Sequence, residues 1–323
     1  MDITVGTFNL NNLFSRYNFR AEVEIVRQGG IEVDGDVRFT FVEPVGYVFR
    51  TYSGKLVQPK PPAERKIIAD RIKAINVDVL AVQEVEDIGV LRQFALEDLG
   101  GMYPYQVLVE GNDQRLIDVG LLSRYPIGAV TSWRFAVHPE APHDFIFSRD
   151  LLEVEILEPK RRDRIFTVFN THLKSNYMRW GEDPATEMPR IQTRRRRQAE
   201  SVATIVAART RPNSSYVVTG DMNDDVTAET LAAFRGAGWI NGLSNPKETR
   251  PAKREQQTAH NPSHPAWTHR YKASKQAPRF ELYDQVWLSP ALARRQVEAW
   301  IDRRKSHSGD GSDHDPAWVT VRV

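Results

Sequence analysis

Gly311-Ser312-Asp313-His314-Asp315-Pro316 sets a carboxylate beside an imidazole, in a run of small and rigid residues ahead of an apolar segment. An adjacent acid and His can hold a metal, orient a base, or do both. The same pair also serves in a plain polar turn. Four further clusters of acids, amides and His lie upstream, each at the end of a strand-like run. Glu84 follows Val79-Leu80-Ala81-Val82-Gln83; an ionised Glu at the tip of a buried strand is costly unless paired or metal-bound. His172 follows Asn170-Thr171 at the end of another apolar run, as a ligand or as a structural imidazole. In Gly220-Asp221-Met222-Asn223 the glycine permits a close backbone approach or an unusual φ. Asp221 and Asn223 then present a carboxylate and an amide together, able to deprotonate and orient a water, or to close an Asx-type turn. Asp284 lies in the otherwise apolar Tyr283-Asp284-Gln285-Val286-Trp287-Leu288. A buried Asp needs a partner, and His is the natural one because the carboxylate fixes its tautomer and raises its basicity.

Hydrophobic periodicity predicts the elements that carry these groups. Strands are expected at 3–10 (leading into Asn9, Asn11 and Asn12), 77–82, 120–123, 151–157, 165–170, 216–219, 282–288 and 318–323. Helices are expected at 63–76, 90–98, 189–209 and 227–236. Asp34-Gly35 and Ser53-Gly54 read as turns between β-formers, so residues from about 31 to 60 form a hairpin-like insert. Residues 245–280 read as a polar loop. Strands and helices interleave without strict alternation, which favours layered β-sheets with flanking helices over a simple parallel sheet.

The chain of 323 residues is long enough for a sizeable core and shows no low-complexity linker. It reads as a single domain over 1–323. Its 44 basic and 42 acidic residues leave a net charge of +2, so bulk charge does not itself demand a polyanionic partner. There is no cysteine, which excludes disulfides, thiolate catalysis and thiolate metal sites. Any metal must bind through oxygen and nitrogen, with Mg2+ or Mn2+ the natural candidates. The N-terminus lacks a basic segment followed by an apolar one, and no apolar run reaches membrane-spanning length. The expectation is a cytoplasmic protein with no membrane span.

The order and spelling of these pieces resemble the endonuclease/exonuclease/phosphatase superfamily of metal-dependent phosphoesterases. The resemblance rests on Thr7-Phe8-Asn9-Leu10-Asn11, Val82-Gln83-Glu84-Val85, Gly120-Leu121-Leu122-Ser123-Arg124-Tyr125-Pro126-Ile127, Asn170-Thr171-His172-Leu173, Gly220-Asp221-Met222-Asn223, Tyr283-Asp284-Gln285-Val286-Trp287-Leu288-Ser289 and Ser312-Asp313-His314-Asp315-Pro316. It implies two packed mixed sheets flanked by helices, a four-layer α/β/β/α sandwich of the pancreatic-deoxyribonuclease type. By resemblance, Glu84 is the principal metal ligand, with Asn9 and Asp313 in the same shell directly or through water. Asp221 and Asn223 orient and activate the attacking water. His314, held by Asp284, touches the scissile phosphate as base or orienting acid. His172 faces a non-bridging or leaving oxygen. Phe147-Ser148-Arg149-Asp150 is similar to the segment that supplies a phosphate-contacting Arg, which makes Arg149 and Asn11 candidate phosphate contacts. Asn11 stands where some nuclease branches carry an acid.

Two regions bear on the substrate. Four consecutive Arg, 194–197, cannot all face one phosphate backbone, because successive helical residues turn through roughly 100°. One or two can line a site while the rest form a solvated face. Tyr177, Arg179, Trp180 and Trp267-Thr268-His269-Arg270-Tyr271-Lys272 mix aromatics with cations, suited to stacking on bases with phosphate contact. The leading expectation is hydrolysis of DNA or RNA phosphodiesters. The alternative is a phosphatase or phosphodiesterase acting on a small-molecule, inositol or lipid-linked phosphate. A catalytically inactive binding protein is disfavoured by the full set of site residues.

Overall fold

The computed structural model describes residues 1–14, 19–28, 31–41, 51–52, 55–56, 60–160, 162–178, 181–250, 266–271, 278–304 and 311–323. Side-chain alternation along its central strands creates two cores. In the first strand Ile3 and Val5 enter one buried cluster while Phe8 and Leu10 enter another. The same division recurs where Val79 and Ala81 join the first cluster and Leu80 and Val82 the second. A strand apolar on both faces needs a covering layer on each side. One layer is a second sheet, and the other is helical.

The first sheet has seven strands, in spatial order Lys247–Glu248, Gln296–Ile301, Ala317–Arg322, Asp2–Leu13, Val79–Val85, Asp118–Ser123 and Tyr105–Leu108. The second has six: Ile240–Asn241, Asp284–Leu288, Tyr216–Asp221, Arg164–His172, Leu151–Leu157 and Ile127–Ser132. Both are mixed. Asp2–Leu13 runs parallel to Val79–Val85 and antiparallel to Ala317–Arg322. Tyr216–Asp221 runs parallel to Arg164–His172 and antiparallel to Asp284–Leu288. Val154, Phe166, Val168 and Val217 meet Ile3 and Val5 in the inter-sheet core. Helix Pro62–Ile75 covers the outer face of the first sheet through Ile68 and Ile72. Helix Pro184–Arg209 adds Ala199, Val202 and Val206 on the second sheet's side. The result is the expected four-layer sandwich.

A buried polar clamp fixes how the sheets face each other. Gln83 Nε2 donates to Asn170 Oδ1 at 2.8 Å, and Asn170 Nδ2 donates to the carbonyls of Val82 and Gly120 at 3.1 and 2.7 Å. Breaking it strands buried amides, at a cost of about 1–3 kcal/mol each. The clamp lies one residue from Glu84 and two from His172, so sheet alignment and site alignment are coupled.

The helix expected at 189–209 begins earlier, at Pro184. Asp183 caps it by accepting from Ala185 N at 3.2 Å, and a proline in the first turn lacks only a donor that would be unpaired anyway. Pro189 sits inside this helix near its start. The hairpin insert also begins earlier than 31. Phe19–Gln28 pairs with Ile31–Phe41, and Asp34-Gly35 lies within that ladder, opposite Val26 and Ile25, instead of forming a turn. Ladder pairing on both sides of Gly35 overrides the local turn signal. Ser53-Gly54 lies outside the described residues. Asp284 opens its strand instead of sitting inside it, and strand Gln296–Ile301 had no separate expectation.

Asp118 gives a test of the interior. It is buried and accepts from Gly111 N at 2.7 Å. Burial, reinforced by Glu110, Asp113 and Asp150, raises its pKa to about 7. An acid whose folded pKa exceeds its unfolded value of about 3.9 loses folded-state advantage as pH climbs from about 4 to about 7, and the deficit persists above that. Asp118→Asn is therefore expected to raise the melting temperature by several degrees at about pH 8.5 and by much less at about pH 4. Equal shifts in thermal melts at the two pH values would contradict this.

Candidate functional site

One end of the sandwich collects the polar groups because strand direction delivers them there. Asn9 lies opposite Gln83, which places it beside Glu84. His172 pairs with Asp221, and Asp221 pairs with Asp284 across the next strand. The Ser312-Asp313-His314 turn enters from the far end of the chain, with Ser312 Oγ donating to the Asn9 carbonyl at 2.7 Å. The backbone here is strained. Asn11, Asn12, Glu84 and Asn223 have φ of 47°, 60°, 60° and 54°. Positive φ in a Glu is uncommon and persists only where surroundings impose it. At Gly220, with φ of 131°, an added Cβ would meet the Thr171 carbonyl oxygen at 1.9 Å, so only glycine lets the two strands close around Asp221.

Two linked clusters result. In the first, Asn9 Nδ2 donates to Glu84 Oε1 at 3.2 Å and to Asp221 Oδ2 at 2.9 Å. Asn12 N donates to Glu84 Oε2 at 3.1 Å, and Asn11 N to Asn9 Oδ1 at 2.9 Å. Asn223 N donates to Asp221 Oδ1 at 2.9 Å, and its amide donates to the Leu173 carbonyl at 3.1 Å. In the second, His314 Nδ1 meets Asp284 Oδ2 at 2.6 Å, a contact between residues 30 positions apart. His314 Nε2 lies 3.8 Å from Asp221 Oδ2, which joins the clusters.

Burial pushes the Asp221 carboxyl up to about 7, with His314 opposing and Asp284 adding to the rise. Burial alone would lower the His314 pKa, but the Asp284 and Asp221 carboxylates raise it to about 10. The ring is thus a cation at neutral pH. His172 has the opposite fate: burial and the Arg149 guanidinium lower its pKa well below the usual value. Arg149 Nη2 donates to His172 Nε2 at 3.0 Å, so that nitrogen carries no proton. His172 also lies 3.4 Å from Asp221.

Arg149 is buried yet reaches a cleft of about 530 Å³ that Arg115, Lys174, Tyr177 and Arg194 also line. The Arg115 guanidinium lies 6.0 Å from the Tyr177 ring centroid. Burial and the neighbouring Arg149 and Arg115 lower the Lys174 pKa to about 8. Of the four consecutive arginines, Arg194 lines this cleft, while Arg196 and Arg197 pair with Glu140 at 2.9 Å. Arg195 neither lines the cleft nor faces solvent. It is buried and holds Asp224, Asn176 and the Lys174 carbonyl. Trp267 is also buried, beneath the Arg303 guanidinium at 3.8 Å, and offers no stacking face. Arg179, Trp180 and Lys272 lie outside the described residues.

The structure thus brings together Asn9, Glu84, His172, Asp221, Asn223, Asp284 and His314, with Arg149 adjoining through His172. Asn11 sits beside them, but its side-chain oxygen accepts from Asn12 Nδ2 at 3.1 Å. Asp313 faces His269 Nε2 at 3.6 Å and His314 Nε2 at 3.9 Å. Desolvation by its neighbours opposes ionisation although the side chain is exposed, but the two imidazoles hold its pKa below the ordinary carboxylate value. Two further residues, quoted in the motifs above without a place in the site, join it. His269 stacks on Tyr283, centroids 4.8 Å apart, and bridges backbone with His314. Fully buried Asp315 lies 3.1, 3.4 and 3.1 Å from Arg71, Arg303 and Arg304. Those guanidiniums grip the turn from behind, through the carbonyls of Asp313 (Arg304, 2.6 Å) and His314 (Arg71, 3.4 Å). The Asp-Pro after the His was a visible signal for the acid; its partners, Arg303 and Arg304 across a short segment and Arg71 from the first helix, were not.

Glu84, Asp313 and the Asn9 amide would offer oxygen donors only, half-exposed at Glu84 and exposed at Asp313. Such donors fit a hard divalent cation. Asn9 Oδ1 keeps one lone pair beyond the Asn11 contact, so it can still serve directly or through water.

No curated protein matches the sequence. The chain is similar to an AP endonuclease from Archaeoglobus fulgidus, at 15% identity over 99% of this chain and 100% of that one, with a TM-score of 0.59. It is similar to sphingomyelinase C from Streptomyces griseocarneus, at 16% identity over all of both chains and a TM-score of 0.57. It is also similar to a family protein from Bacteroides thetaiotaomicron, at 15% identity over 99% of this chain and 95% of that one, TM-score 0.58. At such identities the likeness is one of fold. Residues 6–314 match the Endonuclease/Exonuclease/phosphatase family as a whole, a span from the first strand to the His of the final turn. With that match over nearly its whole length, the chain belongs to the endonuclease/exonuclease/phosphatase family.

Proposed function

We propose that this chain hydrolyses nucleic-acid phosphodiester bonds by direct attack of water, with Mg2+ or Mn2+ as cofactor. The observation that carries this reading is the Asp284–His314 pair at 2.6 Å set against Asp221, with Arg149 reaching His172 from a cleft that Arg115, Lys174 and Arg194 line together with Asp113, Glu182 and Glu187. Glu84 holds the metal, with Asn9 and Asp313 in the same shell. When bound, the ion neutralises the phosphate and polarises its P–O bonds. Asp221 takes the proton from water: a base poised near 7 suits this role. Asn223 fixes Asp221 through its backbone N–H and keeps it aimed. With its pKa raised to about 10, His314 acts as an acid and a charge partner for the phosphate oxygens. Arg149, with neutral His172 behind it, faces a non-bridging oxygen.

The choice of nucleic acid rests on the cleft, where several cations and the exposed Tyr177 ring suit a phosphate backbone and a stacked base. The second reading, a small, inositol or lipid-linked phosphate, is favoured by the burial of Trp267, which removes one expected stacking surface. No helix among the described residues is long and apolar enough to cross a membrane.

A parallel assay with Mg2+ or Mn2+ on plasmid DNA, single-stranded RNA, sphingomyelin and an inositol phosphate separates the readings. Nucleic-acid cleavage with affinity falling steeply as salt rises is expected. Turnover confined to sphingomyelin or the inositol phosphate overturns the nucleic-acid assignment. Glu84→Gln is expected to raise the Mg2+ concentration for half-maximal activity by about 10–100-fold. An unchanged Mg2+ titration would remove Glu84 from the metal shell.

A further inference from the structure

His269 lies outside the machinery just described. Its Nε2 faces Asp313 Oδ2 at 3.6 Å, and His314 Nε2 faces the other oxygen of the same carboxylate at 3.9 Å. One donor atom from each of His269, Asp313 and His314 lies within 4.8 Å of the others. We propose that these three residues form a second metal site that takes a borderline cation such as Zn2+ in preference to Mg2+, and that its occupation withdraws His314 from the phosphate.

The geometry is close to a ligand shell. Ligands about 2.0–2.1 Å from a tetrahedral Zn2+ stand roughly 3.3–3.4 Å apart. The two spacings to Asp313, 3.6 and 3.9 Å, run to its two different oxygens, and the three donors lie within 4.8 Å of one another, so closing on an ion requires the carboxylate to turn one oxygen toward both rings. Two imidazoles with one carboxylate suit Zn2+, whereas Mg2+ favours oxygen alone. The support around the donors is also of the required kind. Asp284 receives the other nitrogen of His314 at 2.6 Å, the carboxylate–imidazole arrangement that orients a metal-bound His, and binding at Nε2 releases the proton that this nitrogen otherwise carries. The His269 ring is held nearly coplanar with Tyr283, at an interplanar angle of 11°, so its nitrogen is already aimed. His269 Nδ1 is buried with no partner, which leaves no competing hydrogen bond to turn the ring away. The exposure of Asp313 gives an ion its entry path. A fourth position falls to water or to Asp221, whose Oδ2 lies 3.8 Å from His314 Nε2.

The site shares Asp313 with the proposed Mg2+ shell and His314 with the proposed catalysis, so Zn2+ there inhibits turnover. That consequence rests on the phosphodiesterase reading; the binding itself does not. The test is therefore a binding measurement. The full chain in millimolar Mg2+ is titrated with Zn2+ against a chromophoric chelator, and imidazole nitrogen resonances are followed by NMR. Zn2+ binding that moves the ring nitrogens of His269 and His314 is expected. His269→Gln should weaken it by about tenfold or more, while exposed His143→Gln should not. Displacement of Zn2+ by Mg2+, equal affinity in His269→Gln, or shifts confined to other His rings each overturns the proposal. The NMR arm uses the unmodified chain and holds even if the variant misfolds. It also fails or succeeds independently of which phosphoester is cleaved.

Discussion

Asp221→Asn is expected to lower the rate of phosphodiester cleavage by about 10³-fold, within the range that a positioned proton acceptor contributes. Both Asp221 oxygens are already aimed, one by Asn9 Nδ2 at 2.9 Å and one by Asn223 N at 2.9 Å. An amide has almost the same shape but cannot accept a proton from water. Its NH2 group must also point at one of those two donors, which turns an attraction into a repulsion. Substrate binding should change far less, because the cleft beside Arg149 is untouched. Stability gives the control. Burial raises this acid to about 7. A raised acid costs stability above its folded pKa, so removing it should leave the melting temperature at about pH 8 level or higher. Single-turnover rates decide the matter. A variant within tenfold of the parent would take the base role away from Asp221.

How much of this could be read in the sequence depends on distance along the chain. Strand ends are local: apolar runs with a polar residue at the tip announced Glu84, His172 and Asp221, and the structure puts each where its strand stops. The Asp284–His314 contact is not local, yet a lone acid in an apolar strand made a buried partner necessary, and the only open question was which His. By contrast, nothing in residues 266–271 tells that Trp267 points inward. Its ring is capped by Arg303, which is itself tied to Asp315 and Glu248. A buried arginine under a tryptophan is a tertiary arrangement that no local pattern encodes. Arg195 is the same case: periodicity puts one of four arginines on the inner face, but its acceptors Asp224 and Asn176 are set by the fold. The hairpin failed for a different reason. Asp34-Gly35 has the composition of a two-residue turn, and only a partner strand starting at Phe19 makes it a ladder position.

Asp284→Asn should cut turnover by roughly 10³–10⁴-fold, comparable to loss of the carboxylate behind a catalytic His in the hydrolase triads. The cause would be electrostatic, because Asp284 touches no solvent and reaches the phosphate only through His314. Its carboxylate is the leading reason that His314 titrates near 10 despite burial. A neutral amide leaves the ring facing only Asp221 and Asp313, so the His314 pKa should fall toward the ordinary value of about 6.5. The measurement is an NMR titration of the His314 ring in metal-free protein. The parent should stay protonated past about pH 8, and the variant should lose its proton well before. Stability should follow with a definite sign. A His with a folded pKa above its unfolded value contributes fully below about pH 6.5, and the contribution disappears as pH rises through about 10. The variant should therefore melt lowest relative to the parent at about pH 6 and approach it at about pH 10. A fall in rate with an unshifted His314 titration would mean that Asp284 holds the site's shape and not its charge. His314 would then need another source for its proton at neutral pH, and Asp221, 3.8 Å away, is the one carboxylate left that faces Nε2 from the buried side.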